Sequence, residues 1–435
     1  MIALNIAQFL SLLRSEIEAS TGCTDPGSIS LAVATATSAL GKPPEDIRVW
    51  LSPNVYKNAV SVGIPGTFRS GMELAAALGA LINEPQKGLA ILSEVNDELV
   101  NRAQREVEKG HIHIECLHDA PDPLYVKAAV RCAEDTADAV IQYDYSQVVS
   151  VHRNGCPVFE RDAQTGAQEA DPLQNHRVRE LYDLILASNP EEFAFLVDYA
   201  RQNLRAARLD LQDSRFPTGR ALRDRLPRHH GDMFDVVNRA QTATMAAGEA
   251  RMRGLNVTIM AIAGSGNHGI TNFAGVLSVA EALGCSRADT ARALAISSMI
   301  TVYIKRYLKR MTAFCGCGVA AATGVAAATA YLLGGDFNVS VQAMQSVIGT
   351  IGGMFCDGAK ESCAYKISTA TATAVQFAYL AVQGCHIPAC CGIIGPTIEK
   401  TFENMGRLNN PGMVETDRVL VSIVQDNQSV QGGPT

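Results

Sequence analysis

Two cysteine-bearing stretches in the second half of the chain carry the residue types of a metal site. Cys356 and Cys363 stand seven positions apart, and Asp357 is a residue type that often caps a helix start. A helix beginning there would place both sulfurs on one side, near an N-terminus that favours thiolates. Upstream, Cys315 and Cys317 offer a third sulfur at a Gly-broken junction. The pattern predicts a metal or iron–sulfur site, and the alternative is buried cysteines that pack as small apolar residues.

A further cysteine, Cys23, lies between two predicted helices. It follows Gly22, and after it Thr24 or Asp25 can cap a helix that has Pro26 at its first position. A thiol immediately before a helix N-terminus has a lowered pKa, so the sequence predicts a reactive thiolate at Cys23. The alternative is a cysteine that only occupies a tight turn.

The glycine-rich loop at residues 263–270 joins two apolar segments. It lacks the βαβ context of a dinucleotide fingerprint and the Lys-Ser/Thr pair of a phosphate-binding loop. Its backbone N–H groups, together with Ser265, Asn267 and His268, are suited to hold a small carboxylate. The alternative is a close crossing of helices that only glycine allows.

Composition excludes several classes of protein. The chain has 435 residues, 47% of them apolar, and a net charge of −7, which argues against a nucleic-acid surface. The first residues form an apolar run without a basic leader, so we expect a cytoplasmic protein whose cysteines stay reduced. Residues 255–280 and 367–398 carry no Asp, Glu, Lys or Arg, but their Ala, Thr and Gly content predicts buried helices and no membrane contact.

The elements that must position these residues predict an α+β fold. We expect helices at 4–19 and 26–40, and we expect these N-terminal helices (1–42) to pack on a catalytic domain. Short runs rich in Val and Ile indicate a smaller α+β domain at 43–155, inserted after the first two helices. Strands are expected at 47–51, 59–64, 112–117, 125–131, 139–143 and 147–151. A linker at 156–175 then leads to a large all-α catalytic domain at 176–435.

Four motifs in this order resemble the L-cysteine desulfidase family, which is related to the α-domain of the iron–sulfur L-serine dehydratases. They are residues 20–26 (STGCTDP), 264–270, 315–318 (CGCG) and 356–363. The resemblance covers nearly the whole chain. The family pattern usually has Glu at the position of Asp25. The acidic side chain of this protein is therefore one methylene shorter than that of the family pattern.

The resemblance implies a [4Fe–4S] cluster held by Cys315, Cys356 and Cys363, with one iron left open as a Lewis acid. It also implies that Cys23 lies in the active site as base or acid. Lys360, beside the cluster, would offset its charge and line the substrate site. The implied reaction eliminates hydrosulfide from L-cysteine and yields pyruvate and ammonia without pyridoxal phosphate. The expected partners are a small amino-acid substrate and further copies of this chain.

Three alternatives stay open at this point. Cys317 competes with Cys315 as the third ligand. L-Serine dehydration shares the same intermediate as L-cysteine elimination, and a non-catalytic iron–sulfur or zinc-binding sensor would use the same thiols. The other cysteines of this half, Cys285, Cys385, Cys390 and Cys391, are expected to be core residues.

Overall fold

Two hydrophobic cores organise the protein. The computed structural model describes residues 4–161, 173, 176–225, 232–309 and 312–431. One core is formed by residues between 29 and 151, and the other joins residues 9–17 to the helices between 173 and 405. The fold is mixed α+β with a large helical portion, as expected. The division into an inserted and a catalytic domain stays a prediction.

The helices of the described residues range from the short α10 (4 residues) to α12 (22 residues). They are α1 (Ile6–Ser15), α2 (Thr24–Leu40), α3 (Pro53–Ala59), α4 (Met72–Ile82), α5 (Asp97–Glu108), α6 (Val178–Ala187), α7 (Ala194–Gln212), α8 (Pro217–Arg225), α9 (Met233–Met252), α10 (Gly266–Gly269), α11 (Gly275–Leu283), α12 (Arg287–Leu308), α13 (Ala322–Leu332), α14 (Phe337–Ile351), α15 (Ser362–Val382), α16 (Ile398–Arg407) and α17 (Val414–Gln431). Within the part of the chain that the structure describes, no helix combines the length and apolar character that a membrane crossing requires.

The strands form a large sheet and a separate pair. They are β1 (Ile17–Thr21), β2 (Asp46–Leu51), β3 (Ile112–Cys116), β4 (Tyr125–Cys132), β5 (Asp135–Gln142), β6 (Val148–Arg153), β7 (Cys156–Glu160) and β8 (Thr258–Ile262). The sheet has the order β3-β2-β4-β5-β6-β7, parallel between β2 and β3 and antiparallel elsewhere. Alternate residues of β4, including Val126, Ala128 and Val130, face the core, where α2 and α4 cover the sheet.

Two segments of the α+β unit differ from expectation. Residues 156–160 form the edge strand β7, so the linker prediction is wrong there, and most of 161–175 lies outside the described residues. The strand expected at 59–64 is also wrong. Pro53 follows Ser52 and occupies the first turn of a helix that runs to Ala59, because its fixed φ suits a helix start. Only a single bridge, from Ile64 to Arg69, follows.

The N-terminal segment differs most from expectation. The first helix ends at Ser15, and β1 then pairs antiparallel with β8, a pairing of segments far apart in sequence. Helix α1 packs through Phe9 and Leu13 on the C-terminal helices. Helix α2 packs instead in the core of the α+β unit, with Ile29 and Leu40 fully buried there. The expectation that both N-terminal helices pack on the C-terminal unit is therefore wrong for α2, because α2 covers the six-stranded sheet.

Three cysteines expected in the core lie on the surface. Cys385, Cys390 and Cys391 are exposed, in the loop between α15 and α16, and Cys285 is partly buried. Helix α15 ends at Val382, and the loop that follows is broken by glycine and proline. The core prediction was wrong because these thiols lie outside any helix.

A buried carboxyl group makes the second core sensitive to pH. Asp210 of α7 is fully buried, and neither of its side-chain oxygens has a hydrogen-bond partner. Burial, with a smaller effect of Glu249, raises the pKa of Asp210 from 3.8 to about 8. The folded protein therefore binds one more proton than the unfolded chain between these two pH values, so this group destabilises the fold progressively as pH rises through that window.

Asp210→Asn is expected to raise the thermal unfolding midpoint at pH 8, by an amount that corresponds to roughly 1–3 kcal/mol. Little difference is expected at pH 4, where both forms are neutral. Thermal unfolding of both proteins at pH 4, 6 and 8 measures this, with Asp198→Asn on the exposed face of the same helix as control. A variant whose unfolding midpoint follows pH like that of the wild type would show that Asp210 is ionised in the fold.

Candidate active site

The loop after β8 folds back over its own strand. Ser265 begins α10, and Gly269 at its end lies against the carbonyl of Met260. A Cβ at Gly269 would stand 1.9 Å from that oxygen, so only glycine permits this approach. The consequence is that Asn267 and His268 are buried against β8 and do not project into solvent.

Arg251, near the end of α9, joins this loop to the start of α2. Its Nε donates to the carbonyl oxygen of Gly22 at 3.1 Å, and its Nη1 donates to Asn267 Oδ1 at 3.0 Å. Asn267 in turn donates through Nδ2 to the sulfur of Met252 at 3.5 Å. The turn that carries Cys23 is thereby fixed beside the loop at 265–268.

Cys23 is a buried thiol that holds its proton. Its Sγ donates to Asp25 Oδ2 at 3.4 Å. Burial, followed by the negative charge of Asp25, raises the pKa of Cys23 to about 12. The prediction of a lowered thiol pKa is therefore wrong, because burial and a neighbouring carboxylate outweigh the helix N-terminus. Burial also raises the pKa of Asp25 to about 6, although hydrogen bonds from Cys23 and from Asn58 Nδ2 (3.3 Å) oppose this shift.

A short antiparallel bridge sets Cys315 beside Cys356. The Cys315 amide donates to the Met354 carbonyl at 2.8 Å, and the Cys356 amide donates to the Ala313 carbonyl at 2.7 Å. Phe314 and Phe355 pair between them. The two stretches that the sequence singled out separately thus meet in the fold.

Cys363 reaches the same place from the start of α15. This helix begins at Ser362, so Cys363 lies in its first turn and Asp357 does not cap it, contrary to expectation. The physical reason is Gly358, which has a φ of +98° and lies against the Lys57 carbonyl, where a Cβ would approach to 2.1 Å. This conformation cannot continue into a helix.

The pKa values of Cys315, Cys356 and Cys363 are raised by burial and by neighbouring thiols. Burial, and then the negative charges of Cys315 and Cys356, raise the pKa of Cys363 to about 12. Burial also raises the pKa of Cys356, against the positive charge of Lys57. The adjacent thiol of Cys317 and burial raise the pKa of Cys315. Cys315, Cys356 and Cys363 therefore lie within electrostatic reach of one another, and Cys317 adjoins Cys315.

Cys23 lies next to this group. It packs in a small apolar cluster with Val62 and Met252, against which Ala359 and Cys363 are partly buried. The structure therefore brings together the two cysteine motifs that stand farthest apart in the sequence. The contact joins the start of α2 to the start of α15.

Lysine side chains surround the thiols. Lys57 of α3 is buried and pairs with Asp417 of α17. Lys366 pairs with Asp357, and its positive charge opposes the raised pKa values of the thiols. Lys360 also pairs with Asp357, at 2.6 Å. The predicted role of Lys360 in substrate binding has no counterpart in these contacts and stays a prediction.

His268 and Ser265 approach the cysteines at 315–317 from the other side. The His268 ring is neutral, since burial and the nearby Lys305 lower its pKa to about 3. Its Nδ1 lies 3.1 Å from the Ile262 carbonyl and therefore carries the proton, which leaves Nε2 as an acceptor. A Cβ at Gly316 would stand 2.4 Å from Nε2, so the ring packs directly on this turn. Ser265 Oγ lies 3.7 Å from Cys317 Sγ.

Several site residues escaped the sequence analysis, chiefly Arg251, Asn58, Lys57 and Lys366. Arg251 had a usable signal, because it follows an Ala- and Thr-rich stretch of α9 that favours a buried helix. Lys57 and Asn58 had none, because a lysine and an asparagine on a short helix are most often solvated. The Lys57 carbonyl matters because it lies against Gly358, and Asn58 matters because it donates to Asp25.

Comparison with known proteins identifies the family of this chain. The family model described as serine dehydratase alpha chain matches residues 87–422, about three quarters of the chain. A UPF0597 protein of Methanocella arvoryzae is 46% identical over 415 residues, covering 95% of this chain and 97% of its own. A UPF0597 protein of Desulfatibacillum aliphaticivorans is 35% identical over 430 residues, covering 96% and 98%. One of Bacteroides fragilis is 35% identical over 419 residues, covering 96% and 97%. This chain belongs to the serine dehydratase alpha chain family, together with the UPF0597 proteins.

Proposed function

We propose that this protein is a lyase that eliminates the β-substituent of a small L-amino acid, with L-cysteine as its substrate. The overall reaction is L-cysteine plus water to hydrogen sulfide, ammonia and pyruvate. The observation that carries the proposal is the apolar cluster of Cys23, Val62 and Met252, against which Cys363, one of three neighbouring thiols, is packed. A proton-transfer group and a candidate metal-binding group therefore meet in one buried place. The membership of the chain in a family described by a dehydratase supports the same class of reaction.

The thiols fit a [4Fe–4S] cluster, with Cys315, Cys356 and Cys363 as the residues that would hold it. Within the described ranges, no three His, Cys, Asp or Glu side chains are grouped as for a single metal ion. A cluster differs in that each cysteine binds a separate iron, so its ligands stand farther apart. The positive charges of Lys57 and Lys366, each of which also pairs with an aspartate, lower the pKa of these thiols and so favour their thiolate forms. When bound, the cluster would supply a Lewis acid for the substrate.

Cys315 suits the third position better than Cys317. The charges that act on Cys356 and Cys363 include that of Cys315. Cys317 adjoins Cys315 and also lies 3.7 Å from Ser265 Oγ, but it is not among the groups that act on Cys356 or Cys363. The sequence left these two cysteines as alternatives, and the contacts favour Cys315.

Cys23 and Asp25 are proposed to move the α-proton. Cys23 holds a proton and hydrogen-bonds to Asp25, which is largely ionised at pH 7 because its pKa is about 6. Asp25 can accept the Cys23 proton as the thiol sulfur takes the α-proton, and the pair can return a proton to the product. Asn267, which Arg251 holds, and His268, whose ring packs on Gly316, are proposed to position the substrate. Their burial excludes bulk water from the reacting groups.

The decrease of kcat/KM at low pH is expected to follow the protonation of Asp25. Below about pH 6 the carboxyl group is protonated and can no longer accept the Cys23 proton, so kcat/KM should fall about tenfold per pH unit. Asp25→Asn should lower the plateau and remove this decrease. Steady-state kinetics between pH 5 and 9 measure both effects, with Glu361→Gln as a control outside the proton pair. An unchanged decrease at low pH in Asp25→Asn would exclude Asp25 from proton transfer.

L-Serine is the second candidate substrate, because the matching family model is described by serine dehydratase. Its elimination releases water in place of hydrogen sulfide and gives the same pyruvate and ammonia. Anaerobic assays of pyruvate formation from each amino acid, with the cluster loaded, separate the two. We expect a higher kcat/KM for L-cysteine. A higher value for L-serine would reassign the substrate, and no turnover of either would favour a non-catalytic iron–sulfur protein.

A further inference from the structure

Arg251 is a buried cation that makes no direct ion pair within the part of the chain that the structure describes. Its side chain is 3% exposed, and none of the ion pairs among the described residues includes it. A guanidinium group cannot release its proton in a protein, so the charge persists. Burying an unpaired charge is costly, and proteins normally compensate it with a carboxylate or a bound anion. The nearby carboxylate of Asp25 acts on this charge from a distance, but only the neutral groups of Gly22 and Asn267 accept hydrogen bonds from the guanidinium, so the position suits a bound anion.

The donors of Arg251 point to where that group would bind. Nε and Nη1 are engaged by the Gly22 carbonyl and by Asn267, which fixes the plane of the guanidinium group. Among the hydrogen bonds of the described residues, none uses Nη2. The positive charge acts on Cys23, Asp25 and His268 together. Because Nε is bonded to Gly22, the residue directly before Cys23, the guanidinium group lies beside the turn that carries the proposed proton-transfer pair.

We infer that Arg251 binds the α-carboxylate of the substrate and restricts the enzyme to α-amino acids with a free carboxylate group. The inference rests on the proposed function for the identity of the ligand as an amino acid. The bound carboxylate would neutralise the buried guanidinium and place the α-carbon beside Cys23. Amines, amides and esters that lack the carboxylate charge would leave Arg251 unpaired and bind weakly. A purely structural Arg251, which only joins Gly22 to Asn267, would give no such preference.

The test is the affinity of the cluster-loaded protein for L-alanine and for L-alaninamide, measured by calorimetry. Both carry the same ammonium group and no leaving group, so binding is measured without turnover. Wild-type protein is expected to bind L-alanine roughly 10- to 100-fold more tightly, as for a charge-assisted hydrogen bond. Arg251→Gln should lose this preference, and Arg251→Lys should retain part of it because the charge remains. Arg253→Gln is the matched control, because Arg253 is partly exposed and pairs with Glu249 and Glu361.

Equal affinity of the wild-type protein for the two ligands, or no affinity for L-alanine, would overturn the inference. So would an Arg251→Gln variant that keeps the wild-type preference. If Arg251→Gln does not fold, the inference is tested by the other two proteins. The wild type should prefer L-alanine to L-alaninamide, and Arg251→Lys should keep part of this preference. Failure of the proposed function has a different signature: L-alanine would be preferred through Arg251, yet neither L-cysteine nor L-serine would be turned over. The two ideas can therefore fail separately.

Discussion

Cys23→Ser is expected to lower the turnover of L-cysteine by roughly 10²- to 10⁴-fold, the range typical of a lost proton-transfer group. The physical reason is that a serine hydroxyl is a far weaker acid than a thiol and is not a competent base at neutral pH. The iron and sulfide content should stay at the wild-type level, because Cys23 is not one of the three proposed ligands. Fold should also be retained, since serine is close in size to cysteine at this buried turn.

Anaerobic sulfide-release kinetics, with iron counted in the same samples, measure this prediction. Cys132→Ser is a suitable control, because Cys132 is a partly buried thiol at the end of β4 in the six-stranded sheet. If Cys23→Ser loses its iron, Cys23 is a ligand and its assignment to proton transfer is wrong. If the variant turns over L-cysteine at the wild-type rate, Cys23 has no part in the chemistry.

Cys356→Ser and Cys363→Ser are each expected to reduce iron binding from about four atoms per chain to a small fraction of that number. Each removes one of three thiolates, and two remaining thiolates hold a cluster poorly. Turnover should disappear with the cluster. The apoprotein should keep its secondary structure, because residues 354–356 are anchored by backbone hydrogen bonds to residues 313–315.

The matched pair for this experiment is Cys315→Ser and Cys317→Ser. These cysteines stand two residues apart in the same turn, yet only Cys315 is fully buried beside Cys356 and Cys363. Iron and acid-labile sulfide analysis, with the visible absorption of the cluster, should show loss in Cys315→Ser and retention in Cys317→Ser. The opposite outcome would make Cys317 the third ligand. Retention of the cluster in all four variants would remove these thiols from iron binding altogether.

The sequence was most informative where local signals agree with packing. Helix α12 begins at residue 287, and Ser286 caps it through its side chain, a residue type that favours this position. The four cysteine and glycine motifs were recognised as one group by their residue types and order, and the structure brings three thiols and Cys23 together. The cap of α12 and each separate motif consist of residues close in the chain. They can therefore be recognised from the sequence alone.

What the sequence did not reveal depends on contacts between distant segments. The run 17–21 looks like the end of a helix, but it pairs with residues 258–262 and becomes β1. Asp357 has the right residue type for a helix cap, yet the approach of Lys57 to Gly358 keeps the backbone out of a helix until Ser362. The pKa of Cys23 depends on burial under the second half of the molecule, which no local pattern encodes.

The most direct test of the account is the turnover of L-cysteine as a function of cluster content in the wild-type protein. Samples reconstituted anaerobically with increasing iron and sulfide are assayed for hydrogen sulfide and pyruvate. We predict activity proportional to the cluster bound by Cys315, Cys356 and Cys363, equal amounts of both products, and none in iron-free protein. A fully loaded protein that turns over neither L-cysteine nor L-serine would contradict the account.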